Sequence, residues 1–319
     1  MKKKFLITGC AGFIGFHLSN KLLKEGNNVY GVDNLNNYYS VKLKKKRLSI
    51  LKTNRNFKFI KLDLVKSDYL KNKNLRYDYI FHLAAQAGVR YSITNPHEYT
   101  KSNLISFANI LELARIKKVK HFYYASSSSV YGESLIKNKE NDNVDKQVSY
   151  YAATKRANEI MAESYANLYN LKMTGIRFFT VYGPWGRPDM ALLKFIKNIY
   201  YNKPIRIYNN GNHKRDFTYI DDVIDYLFKL IQKKKNYSHE IFNICRSKSE
   251  KLIKFLDKIE YYLHKKSKKI FLSKQKGDVR ETSGSNKKIS KYLKFYAKTS
   301  IDKGIDKTIR WYKEHEKIF

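Results

Sequence analysis

Phe5-Leu6-Ile7-Thr8-Gly9-Cys10-Ala11-Gly12-Phe13-Ile14-Gly15 is the stretch on which the fold turns. Phe5 to Thr8 reads as a short buried strand. Gly9, Gly12 and Gly15 follow at three-residue spacing, and a helix opens near Phe13 and runs to Lys24. Strand, glycine turn and helix in that order are the setting in which such a pattern carries meaning. Without Cβ atoms the turn lets backbone approach a pyrophosphate, which then rests on the helix N-terminus. The next strand, Val29-Tyr30-Gly31-Val32, ends at Asp33. An acid there would bond the ribose hydroxyls of an adenosine and reject a 2′-phosphate, which favours NAD over NADP.

Further strands follow at a regular pitch. Phe57–Leu62 closes on Asp63-Leu64, placed to meet the adenine edge. Tyr79–Leu83 runs into Ala84-Ala85-Gln86-Ala87-Gly88-Val89-Arg90, where small residues allow close approach to a cofactor. His121–Ala125 ends in Ser126-Ser127-Ser128-Ser129, and Thr174–Phe179 ends at Thr180. Helices are expected from about His97 to Lys117 and from Tyr150 to Tyr169. Strands alternating with helices mean an α/β fold, a Rossmann-type doubly wound parallel sheet. Ligands bind at the carboxyl ends of such strands, where the glycines, Asp33, Asp63, Ala84 and the serines all lie. Beyond Thr180 the pattern breaks into shorter elements. Helices are expected near Leu192–Tyr200, Asp221–Lys233, Glu250–His264 and from Ile301. Strands are expected at Ile205–Tyr208, Glu240–Ile244 and Lys269–Leu272. These should form a smaller C-terminal α/β substrate lobe, 181–319, against a cofactor lobe of 1–180 to which part of 215–245 returns.

Tyr151-Ala152-Ala153-Thr154-Lys155 carries the chemistry. Residues four apart share a helix face. An ammonium beside a phenol favours the phenolate, so the tyrosine could take a proton from an alcohol near neutral pH. The remaining composition mostly excludes. Two cysteines, Cys10 and Cys245, give neither a disulfide framework nor a metal cluster, and a reducing cytoplasm is the default. No stretch approaches ~18 apolar residues, so no membrane partner is expected. Lys and Arg number 64 against 28 Asp and Glu, a net charge of +36. That raises nucleic acid as a partner. The lysines are scattered, however, so solvated faces are the better reading and no specific nucleic acid is expected.

Taken together these motifs resemble the extended short-chain dehydrogenase/reductase family, and within it the nucleotide-sugar epimerases that act at C4 of UDP-glucuronate. The most specific run is Pro184-Trp185-Gly186-Arg187-Pro188-Asp189-Met190-Ala191. The resemblance implies NAD held by Gly9, Gly12, Phe13, Ile14, Gly15, Asp33, Asn34, Asp63, Leu64, Leu83, Ala84, Ala85, Asn103, Lys155 and Phe178. It implies Tyr151 as base, Ser127 sharing the hydrogen bond to the sugar oxygen, and Lys155 on the nicotinamide ribose. Arg90 and Arg215 match diphosphate-gripping positions, and Tyr208 and Asp278 match contacts to uracil and ribose. Ser127, Ser128, Ser129 and Thr180 are the hydroxyls available for a sugar carboxylate, and Arg187 the cation. Sister dehydratases and decarboxylases carry acids where this chain has Ser128 and Ser129, which disfavours elimination. A UDP-glucose epimerase is the nearest rival. An RNA-binding member of the fold is a weaker one, because such members tend to lose the Tyr/Lys pair. A homodimer through the 97–117 and 150–169 helices is also implied. The last ~35 residues match no motif of the family, and Cys245 and Arg280 depart from its pattern.

Overall fold

The computed structural model describes residues 2–66, 75–134 and 136–318. In chain order the first half gives β1 (Lys4–Thr8), α1 (Phe13–Lys24), β2 (Asn28–Asp33), α2 (Val41–Lys52), β3 (Phe57–Lys61), β4 (Tyr79–His82), α3 (Val89–Thr94), α4 (Pro96–Tyr99), α5 (Ser106–Ile116), β5 (His121–Ser127), α6 (Tyr150–Tyr169) and β6 (Met173–Phe178). The second half gives β7 (Thr180–Tyr182), α7 (Ala191–Tyr200), β8 (Ile205–Tyr208), β9 (Lys214–Tyr219), α8 (Ile220–Gln232), β10 (His239–Ile244), β11 (Ser249–Lys251), α9 (Leu252–Leu263), β12 (Lys269–Leu272), α10 (Lys287–Leu293) and α11 (Ile301–His315).

Among the described residues one seven-stranded sheet runs β10-β6-β5-β4-β1-β2-β3, with every pairing parallel. Helices cover both faces, so its central strands read as apolar runs rather than alternating ones. Phe5, Leu6 and Ile7 of β1 are all fully buried. The order reverses between β1 and β4, and the crevice outside that point is where such sheets bind ligands. The doubly wound expectation therefore holds. Two small sheets complete the molecule, β11-β9-β7 and β12-β8. They frame the far wall of the crevice.

Several elements differ from expectation. Helix α2 had not been expected, since Val41-Lys42-Leu43-Lys44-Lys45-Lys46-Arg47 looks like a solvated lysine run. Ser40 caps it by accepting the Leu43 N–H at 3.3 Å. The His97–Lys117 helix is broken: α4 passes into a π-helical turn, Thr100–Ile105, before α5 begins. Strands β7 and β9 lie in segments to which no element was assigned, and β11 overlaps the start of the expected Glu250–His264 helix. Helix α6 matches its expected bounds. Its cap is Ser149, which accepts the Ala152 N–H at 3.2 Å, and Asn170 ends it in the left-handed region.

Candidate active site

The site begins at the glycine turn. Gly9 has φ +71°, and a Cβ on it would lie 2.8 Å from the Ala84 backbone nitrogen. A Cβ on Gly15 would lie 2.1 Å from the Gly9 carbonyl oxygen. Only glycine lets β1, the α1 entry and the β4 end close on one another. No side chain caps α1, so its first N–H groups are left for a ligand, and Gly12, Phe13, Ile14 and Gly15 line the cleft. This cradle fits a dinucleotide pyrophosphate.

Asp33 lies at the end of β2, and its carboxylate accepts N–H bonds from Ala11 at 3.1 Å and Leu35 at 2.9 Å. Burial raises its pKa, against those two N–H groups and the nearby Lys44 charge. The Lys44 ammonium donates to the Asn36 backbone and side-chain oxygens, both at 2.7 Å. Burial pulls that ammonium down to about 8, with Asp33 pushing the other way. Lys44 lines the cleft and was missed in the sequence, where it stands among Lys42, Lys45 and Lys46.

The cleft encloses about 900 Å³. It gathers every residue expected to touch cofactor or substrate except one. Gly9, Gly12, Phe13, Ile14, Gly15, Asp33, Asn34, Asp63, Leu64, Leu83, Ala84, Ala85, Lys155 and Phe178 line its cofactor side. Arg90, Ser127, Ser128, Ser129, Tyr151, Thr180, Arg187, Tyr208, Arg215 and Asp278 line the remainder. The exception is Asn103, which is buried behind the wall. Its side chain accepts the Gln86 N–H at 2.8 Å and donates to the Gln86 carbonyl and the Thr154 hydroxyl, both at 3.1 Å. It braces the β4 loop against α6 instead of facing a cofactor. The π-helical turn that carries it shifts the helix register, which sequence periodicity does not reveal.

Tyr151 and Lys155 sit one turn apart on α6. The sequence reading put the ammonium beside the phenol, but here Lys155 donates to the Ala125 carbonyl at 2.9 Å. Burial lowers its pKa to about 8 and Glu159 opposes that. Burial raises the Tyr151 pKa, while the Ser127 hydroxyl and the Arg187 charge pull it back. The helpers of the phenol in this structure are thus Ser127 and Arg187. Behind them stands a buried network unseen in the sequence. Ser126 donates to Glu159 at 2.6 Å, and Arg177 grips both Glu159 oxygens at 2.8 and 2.9 Å. It fixes the end of β5 where Ser127 emerges. Tyr99 donates to the Ala87 carbonyl at 3.0 Å and meets the Tyr151 ring edge-on at 6.0 Å.

On the far wall Asp278 joins the two expected diphosphate arginines. It accepts from Arg215 at 2.8 Å and from Arg90 at 3.2 Å. The Arg90 guanidinium also lies over the Tyr208 ring, 4.5 Å from its centre. Asp278 and Tyr208, expected at ribose and uracil, therefore also hold the arginines. Arg187 is likewise engaged, donating to both Asp189 oxygens at 3.0 and 2.5 Å. Cys245 is buried with Val130, Tyr131, Val144 and Phe179, away from the cleft. Arg280 presents its backbone N–H to Glu133 at 3.1 Å.

Comparison with known proteins agrees with this geometry. Residues 5–245 match the model of the NAD dependent epimerase/dehydratase family. An uncharacterised protein of Methanocaldococcus jannaschii is 51% identical, covering 98% of this chain and 97% of its own. A UDP-glucuronate 4-epimerase of Thermodesulfobacterium geofontis is 42% identical over 98% of this chain and 96% of its own. The crystal structure of UDP-glucuronic acid 4-epimerase from Bacillus cereus, in complex with UDP-glucuronic acid and NAD, superposes with a TM-score of 0.93 at 32% identity, covering 98% of this chain and 99% of that one. With the glycine cradle, the tyrosine–lysine helix and the serine strand converging on one cleft, the chain belongs to the NAD-dependent epimerase/dehydratase family.

Proposed function

We propose that this protein converts UDP-glucuronate to UDP-galacturonate by epimerisation at C4, through a 4-keto intermediate. The observation that carries this reading is one cleft in which Tyr151, Ser127, Thr180 and Arg187 face the glycine cradle, with serines at 128 and 129 where eliminating relatives carry acids. The Thermodesulfobacterium and Bacillus relatives are named for the same reaction, which supports it.

Tyr151 takes the proton of the sugar 4-hydroxyl as the C4–H bond breaks, and Ser127 shares the hydrogen bond to that oxygen. NAD, when bound, supplies the hydride acceptor and donor at C4. Lys155 holds the nicotinamide ribose. Arg90 and Arg215 would grip the diphosphate, where guanidinium forks suit phosphate. Asp278 and Tyr208 then meet the uridine. The keto sugar turns about its diphosphate link before reduction on the other face.

Oxidation at C4 creates a hazard. A β-keto acid loses CO₂ when its carboxyl bond lies parallel to the carbonyl π system. Ser128 and Thr180 orient the carboxylate to keep that bond near the carbonyl plane, and Arg187 supplies charge. On the same reading residues 1–180, with part of 215–245, hold cofactor, and 181–319 hold the nucleotide sugar. The enzyme works in the cytoplasm as a homodimer and supplies uronate for polysaccharide. Exposed Ile105, Ile116, Ile160, Leu168 and Tyr169 on and beside α5 and α6 support that interface.

The test incubates purified protein with UDP-glucuronate and with UDP-glucose and resolves the products. UDP-galacturonate should form with preference for the uronate. Tyr151→Phe should cut turnover about 10²–10⁴-fold while UDP-sugar binding persists. Thr180→Ala and Ser128→Ala should raise decarboxylated product relative to epimer, as UDP-pentose with NAD restored or as UDP-4-ketopentose with one NADH left for each. Near-normal turnover by Tyr151→Phe would sink the assignment of the base.

A further inference from the structure

One buried side chain joins the two walls of the cleft. Arg47, on α2, is fully buried. Its Nη1 donates to the Ala11 carbonyl at 2.8 Å and to the Tyr39 hydroxyl at 2.9 Å. Its Nη2 donates to the Trp185 carbonyl at 2.5 Å and the Gly186 carbonyl at 3.0 Å. Ala11 belongs to the glycine turn. Trp185 and Gly186 immediately precede Arg187. A single planar fork therefore spans the cofactor turn and the loop that carries the substrate cation.

That loop is held in a conformation it would not choose alone. Trp185 has φ +59°, the left-handed region, which is costly for a bulky side chain. Such a residue persists only where its surroundings over-determine it. Arg47 fixes its carbonyl. Its ring lies 5.5 Å from Phe16 on α1, 5.2 Å from Trp311 and 5.0 Å from His315 on α11. The C-terminal helix, for which the sequence offered no role, thus packs on the Trp185 ring while Arg47 holds the carbonyl of the same residue.

A buried guanidinium is a poor device for stability alone, because apolar replacements of buried charges are often neutral or stabilising. All four of these acceptors are uncharged oxygens, three of them backbone carbonyls on the two segments in question. We propose that Arg47 is a positioning residue: it registers the Arg187 loop against the cofactor turn, with Trp311 as counter-support, and so keeps the keto-acid intermediate from leaking. This rests on the reading that Arg187 serves the substrate carboxylate.

The experiment uses the NAD-loaded protein and its Arg47→Met and Trp311→Leu variants. Amide hydrogen exchange is followed in 9–15 and 183–190, and product partition is measured with UDP-glucuronate. In Arg47→Met, exchange at 183–190 should rise roughly tenfold or more, about the worth of one charge-assisted hydrogen bond, with a smaller rise at 9–15. The ratio of decarboxylated products, UDP-pentose and UDP-4-ketopentose with its matching NADH, to epimer should rise with it. A purely structural role would speed exchange in both segments alike and lower all products together. Trp311→Leu should shift exchange and partition the same way, less strongly, and it decides the matter if Arg47→Met does not fold. Unchanged exchange at 183–190 in the folded variants overturns the proposal. If exchange shifts while the wild-type protein forms no UDP-galacturonate, the clasp stands and the functional reading falls.

Discussion

The Tyr151 phenol is harder to ionise in this cleft than in water, because burial penalises the phenolate more than Ser127 and Arg187 favour it. A base must be deprotonated to act, so kcat/KM should climb as pH rises. Removing the Arg187 cation takes away one of the two forces pulling the phenol down. The acid limb of kcat/KM for Arg187→Gln should therefore lie at higher pH than that of the wild type. A pH–rate profile checks this, and an unmoved limb would mean that Arg187 does not act on Tyr151. The Tyr151–Lys155 spacing was legible in the sequence because it is local to one helix. The partner that acts on the phenol was not, since Arg187 reaches it through the fold. Asn103 misled for a related reason: a cofactor-facing residue and one bracing the wall behind it look identical in a sequence.

Elements were legible where local signals are strong. The β1–α1 turn announced itself through glycine spacing, and α6 through its cap and helix-forming composition. Helix α2 was hidden because Lys44 and Arg47, both buried, read as solvated charge. Strands β4 and β5 each carry a core histidine. His82 and His121 are buried and held neutral, with burial pulling their pKa values to about 3 and about 2. Both lie below the ordinary 6.5 of an unfolded histidine. Below 6.5 the unfolded chain binds protons that the folded chain refuses, so stability is full above that pH and drains as pH falls. Each histidine removes up to about 1.4 kcal/mol per pH unit across this window. Asp216 works the other way, since burial raises it to about 6 and its proton binding favours the fold below that pH. Between pH 7 and pH 5 two histidines, titrating from 6.5 down, stand against one carboxyl that takes up its proton only from about 6 down, so the histidines should dominate. Urea midpoints should fall between pH 7 and pH 5, and His82→Gln should flatten the slope. A midpoint constant over that range would contradict the assignment.

At the scale of the whole molecule, local pattern was good grounds for a doubly wound sheet and for a strand at Glu240–Ile244, and poor grounds for the register in which that strand closes the sheet. Strand β10, within the 215–245 segment expected to return, lies beside β6, with His239 paired to Met173 and Ile244 to Phe178, a register that no local signal marks. All six residues of β6 are buried. A fragment ending at residue 180 would expose that strand as an unpaired apolar edge, which invites association. Fragment 1–180 should therefore aggregate, and 1–245 should stay more soluble. Light scattering on the two fragments checks this, and equal solubility would show that β10 does not protect the edge. The same pairing has a consequence for biosynthesis. A ribosome delivers the chain from its N-terminus at roughly 5–20 residues per second. Strand β6 thus emerges several seconds before β10 can cover it. Codons that slow translation between Phe178 and Ile244 lengthen that interval, and so lower the yield of folded protein without changing a single residue.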